Sequence, residues 1–111
     1  MDVIGRFKPS KQGGWEGRIY TLTVDRKLRL VPNDNRQNDR APTHIALLGW
    51  DRCGEAWEGR SRGDNPRDYL RVQLRDPARS LLIRAVLFPS DDGGSAELLV
   101  SDPFADSGHA G

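Results

Sequence analysis

A chain of 111 residues with 36% hydrophobic and 30% charged side chains is one domain with a thin core and a wet surface, large enough to fold without metal or disulfide support. No stretch approaches the roughly 18 apolar residues of a membrane span, and the opening Met1-Asp2-Val3-Ile4-Gly5-Arg6 lacks the apolar run of a signal peptide. With a single cysteine, Cys53, and hence no internal disulfide, the chain is expected to be cytoplasmic, in a reducing compartment, with no membrane contact.

The net charge of +1 conceals an asymmetry. Residues 1–84 carry 17 basic and 11 acidic side chains, whereas residues 85–111 carry no basic and five acidic ones. Such a split can create a basic surface with an acidic flank, and basic surfaces attract phosphates. Arginine outnumbers lysine 14 to 3, a bias that a GC-rich genome also produces on any solvated surface.

Sustained helical recurrence of apolar residues is missing, and Gly or Pro interrupts most windows. Ile4 to Lys8 is predicted as a first strand ended by Pro9, with a turn at Gln12-Gly13-Gly14 where glycine supplies positive φ. Trp15 to Val24 is the second, with Tyr20, Leu22 and Val24 on one face and Ile19, Thr21 and Thr23 on the other, a composition suited to a pleated surface. Lys27 to Val31 is the third: Leu28 and Leu30 oppose Lys27 and Arg29, and Pro32 stops it. Asn33 to Arg40 has no apolar residue and is read as an exposed, mobile loop.

Thr43 to Trp50 returns to strand, and Asp51-Arg52-Cys53-Gly54 is expected as a tight hairpin connection into Glu55 to Ser61. An arginine-rich loop, Arg60 to Arg67, leads to Tyr69 to Arg75, whose Leu70, Val72 and Leu74 fall on one face and Tyr69, Arg71, Gln73 and Arg75 on the other. After the break at Asp76-Pro77, Ser80 to Phe88 is the most apolar segment, expected to be central and covered on both faces. Ser90 to Ser95 forms a hairpin turn into Ala96 to Ser101. The predicted fold is therefore all-β: one domain over residues 1–101, an antiparallel barrel or sandwich of seven to eight short strands, followed by a flexible C-terminal tail over residues 102–111.

Signals for catalysis are weak. Cys53, His44 and His109 do not make a ligand cluster. A nucleophilic Cys53 would need His44 as a base across a hairpin, and a lone cysteine in a turn is more often structural. Asp34, Asp51, Asp64, Asp91 and Asp92 are turn residues that cap backbone groups. Gly13-Gly14 and Gly93-Gly94 open no helix and so make no phosphate loop. No enzymatic activity, cofactor or metal is expected.

The basic and aromatic residues remain. Tyr69, Arg71 and Arg75, with Arg60, Arg62 and Arg67 in the preceding loop, form a candidate platform for stacking and phosphate contact with single-stranded DNA or RNA. The competing reading is an ordinary solvated face in which Arg71 and Arg75 pair with Glu55 or Glu58. Trp15, Trp50 and Trp57 are expected to fill the core or its ends.

The set Ile4-Gly5-x-Phe7, Gly14, Gly17, Thr21-Leu22-Thr23, Ala41-Pro42, Gly54-x-Ala56-Trp57, Ser61, Tyr69-Leu70-x-Val72-x-Leu74-x-Asp76-Pro77 and Ile83-x-Ala85 resembles the bacterial domain-of-unknown-function 736 family, from about residue 3 to residue 101. The resemblance implies a small cytoplasmic β-rich protein of the kind often encoded on plasmids and conjugative elements, and it transfers no catalytic or binding residue. The resulting expectation is a non-catalytic binding module associated with mobile DNA. The alternative is a protein-interaction module, either an accessory or inhibitor protein of a mobile element acting on a host or plasmid-encoded protein, or a homodimer formed through a strand edge. A third class, a small molecule held inside a barrel, has no residue that selects a ligand.

Overall fold

The computed structural model describes residues 2–20, 25–35, 37–76 and 81–100. Eight strands follow one another: β1 (Asp2–Pro9), β2 (Trp15–Tyr20), β3 (Asp25–Pro32), β4 (His44–Leu48), β5 (Asp51–Arg60), β6 (Asp68–Asp76), β7 (Leu81–Pro89) and β8 (Ala96–Val100). Each pairs antiparallel with the next, and β8 returns to β1, so the sheet closes into a barrel. Every strand thus has a neighbour on both sides, and closure removes the free edges through which sheets add to one another.

Alternation along the strands explains the closure. Leu28 and Leu30 of β3, Val72 of β6, Leu87 of β7 and Leu98 of β8 point inward and are at most 1% exposed. Alanines at 46, 56, 85 and 96 stand among them, also buried. An eight-stranded barrel has an interior just wide enough for side chains to fill, and the mix of leucine and alanine fits that taper. All eight strands contribute to this cluster, so the interior is a packed core rather than a ligand chamber.

The barrel resolves the choice between barrel and sandwich and corrects two local expectations. The hairpin between β4 and β5 turns at Gly49-Trp50, since Leu48 faces Asp51, and Asp51 to Gly54 belongs to β5. Gly49 has φ +62°, and a two-residue loop starting with a left-handed glycine matches the twist of the strands it joins. The apolar β7 segment is covered on its inner face only: Ala85 and Leu87 are buried, but Leu82 on the outer face is 45% exposed. In a closed barrel no strand is central, and the outer face has no second layer. The residues expected to extend the second strand to Val24, and the C-terminal tail, lie outside the described residues.

Candidate functional site

The six residues singled out in the sequence lie on the outer face of β5 and β6 and in the loop between them. Most of their charge is already satisfied there. Arg75 donates two hydrogen bonds to Glu55, from Nη1 and Nη2 at 2.6 Å each, because Glu55 faces Gln73 across the ladder and leaves Arg75 one diagonal step away. Arg71 stands opposite Trp57, with its guanidinium 5.9 Å from the ring centroid. Arg60 pairs with Asp68 at 2.8 Å. Arg67 donates to the Pro89 carbonyl at 2.6 Å and lies 3.6 Å from Asp91. Arg62 is exposed and has no ion pair among the described residues.

Tyr69 is half-buried. Its ring packs on Phe88, with centroids 5.6 Å apart, and covers Gly59, where a Cβ would come within 2.5 Å of Tyr69 Cε1. An aromatic ring spread over a cross-strand glycine and a neighbouring ring serves packing first. Along β6, Tyr69 and Arg75 are also about 20 Å apart. Arg75 thus pairs with Glu55 as the solvated reading expects, whereas Arg71 faces Trp57 and has no ion pair among the described residues.

Glu55 is the anchor of that network. Its side chain is only 12% exposed, and the Arg75 hydrogen bonds, with help from Arg52, hold its carboxyl below the ordinary value of 4.5 despite partial burial. A depressed carboxylate pKa adds stability that is complete above the ordinary value and disappears as pH falls through the folded-state value. Glu55→Gln should therefore cost about 1 kcal/mol at neutral pH, with the gap to the parent closing below pH 4.5. Urea midpoints at neutral and acid pH check this; a gap that stays constant with pH would show the ion pair to be irrelevant.

A different face carries the less satisfied charge. On the outside of β1, β2 and β3 the register places Arg6 opposite Arg18 and Arg18 opposite Lys27, so three cations stand in one row across three strands. The next row holds Lys8, Glu16 and Arg29. Like charges directly opposite each other destabilise a sheet. The relief is partial: Arg6 lies 3.7 Å from Glu97 and donates to Tyr20 Oη at 2.9 Å, and Arg18 pairs with Asp25 at 2.8 Å. Among the described residues Lys8 and Lys27 have no ion pair.

An open groove runs over this face; Lys8, Arg18, Lys27, Arg29 and Trp50 line it together with one carboxylate, Glu16. Trp50 is 91% exposed, which corrects the expectation that it packs in the core. The turn projects it outward, whereas Trp15 packs against the core and Trp57 is half-buried, its Nε1 donating to the Arg40 carbonyl at 3.0 Å. Sequence reading missed this groove because its charges come from three strands and meet only through register. The sole local signal was Gly49, a turn residue directly before Trp50.

Among the described residues no group of three His, Cys, Asp or Glu side chains is placed to hold a metal. The Cys53 thiol is pushed up by burial, against the lowering effect of Arg75. His44 faces Ala56, three residues along β5 from Cys53, and its Nδ1 lies 3.0 Å from Thr43 Oγ1.

No curated protein and no solved structure matches the chain. A family model described as a protein of unknown function, DUF736, matches residues 3–103, which takes in all of the barrel except Asp2. The chain belongs to the DUF736 family.

Proposed function

We propose that the protein is a binding module for single-stranded nucleic acid and that the β1–β3 face, not the β5–β6 face, is its contact surface. The observation that carries this is the row Arg6, Arg18 and Lys27, three cations held side by side by the register, of which Arg18 and Lys27 share a groove with the exposed ring of Trp50. Such a row costs folding free energy unless an anion shares it. A nucleic-acid backbone supplies anions in series, and an unpaired base supplies a flat face for the indole. The Arg18–Asp25 pair is exposed on both sides and is worth little, so exchanging Asp25 for a phosphate is inexpensive.

The test is fluorescence anisotropy with labelled single strands at several salt concentrations. About three phosphate contacts predict a slope of log affinity against log salt near −2. Lys8→Ala/Lys27→Ala should weaken binding and flatten that slope, whereas Arg71→Ala/Arg75→Ala should leave both within about twofold of the parent. Loss of binding in the second pair only would return the site to β5 and β6. No binding at low salt would end the reading and favour an acidic protein surface as the partner for the same cations.

A further inference from the structure

We infer that Arg29 and Trp50 form one preassembled stacking unit, in which Arg29 is the positioning residue that gives the groove its preference for an unpaired base over a duplex. This rests on the nucleic-acid reading of the β1–β3 face.

Trp50 lies in a two-residue turn and is 91% exposed, so no packed side chains fix its ring. Arg29 approaches it from β3. Its Nη2 donates to the Gly49 carbonyl at 3.0 Å, and its guanidinium carbon lies 5.6 Å from the Trp50 ring centroid. One planar group thus binds the turn's backbone and approaches the adjacent indole. Arg29 is itself half-buried on a regular strand, opposite Leu47, so the support is more rigid than what it supports.

That arrangement has a chemical consequence. With the guanidinium carbon 5.6 Å from the ring centroid, the indole has a cationic neighbour without being covered, and most of its surface stays open to solvent. A base in a duplex already has both faces stacked and offers only its edges and the phosphates. An unpaired base has a face to give. Phosphate contacts along Lys8, Arg18 and Lys27 serve single and double strands alike, so discrimination has to come from the ring. A ring free to swing would pay ordering entropy on each binding event, and a ring that Arg29 draws toward one orientation pays less of it. Lysine keeps the charge but has neither the planar fork nor the stacking plane, so Arg29→Lys separates positioning from charge.

The experiment is a double-mutant cycle on the full chain with Arg29→Lys, Trp50→Ala and both changes, titrated into labelled oligo-dT and into a duplex of the same length. Arg29→Lys is expected to weaken oligo-dT binding about fivefold, to leave duplex affinity and both salt slopes unchanged, and to cost nothing further once Trp50 is alanine. Equal losses on single strand and duplex would make Arg29 a mere phosphate contact and overturn the inference, as would multiplied losses in the double variant or parental binding by Arg29→Lys. If the lysine variant does not fold, Arg29→Gln gives the same coupling with Trp50→Ala. A parent protein that fails to bind oligo-dT at low salt sinks the function itself; a parent that binds without Arg29–Trp50 coupling sinks only this inference.

Discussion

Trp50→Ala is expected to lower affinity for an oligo-dT strand about tenfold while leaving the melting temperature within a degree or two of the parent. One base stacked on an aromatic side chain is worth about 1–3 kcal/mol, and an exposed turn with a single ring belongs at the lower end, near a factor of ten. The ring is 91% exposed and supports no core contact, so its removal has little to unfold. Trp57→Ala provides the contrast. Its indole donates to the Arg40 carbonyl and lies under Arg71, tying the Asn33–Arg40 loop to the barrel wall. That variant should lower the melting temperature and spare oligo-dT affinity. A Trp50→Ala protein that binds like the parent, or one that melts much earlier, would remove the indole from the site.

The contrast among the tryptophans also marks what the sequence could convey. Inward and outward alternation was legible wherever a strand was long and clean: Leu28 and Leu30 against Lys27 and Arg29, and Leu70, Val72 and Leu74 against Tyr69, Arg71 and Arg75, stand as period two requires. The turn at Gly49-Trp50 was not, because Asp51 to Gly54 also has turn chemistry and composition cannot say which of two adjacent candidates the register selects. Closure was not legible either, since β1 and β8 meet across nearly the whole chain. The site suffered most from this. Arg6, Arg18 and Lys27 are far apart in sequence and each is unremarkable alone; only the ladder makes them a row. Arg60, Arg62 and Arg67 drew attention by being close in sequence, yet Asp68 satisfies Arg60, and Asp91 with the Pro89 carbonyl, brought in by the fold, satisfies Arg67.

Gly54→Ala is expected to cost about 3 kcal/mol or more and to lower the melting temperature by about 12 °C or more. Gly54 lies in β5 at the buried end of its pairing with Leu74. A Cβ there would collide with the Gln73 carbonyl oxygen and press on the Gln73 carbonyl carbon and the Leu74 Cα. All three are backbone of β6, so no rotamer change relieves the clash and the strands must separate. Gly49 is the opposite case: nothing lies within 4 Å of its Cβ position, and only its φ of +62° resists a side chain. Gly49→Ala should cost about 1 kcal/mol. The two variants should cross in binding. Below its melting point Gly54→Ala keeps oligo-dT affinity, because Gly54, paired with Ala46 and Leu74, is not a lining residue of the groove. Gly49→Ala loses affinity out of proportion to its stability, because Gly49 carries both the carbonyl that Arg29 holds and the residue whose ring it faces. Thermal melts and anisotropy on the two proteins read the pattern directly, and parallel changes in stability and binding would mean that the groove has no existence apart from the barrel's overall stability.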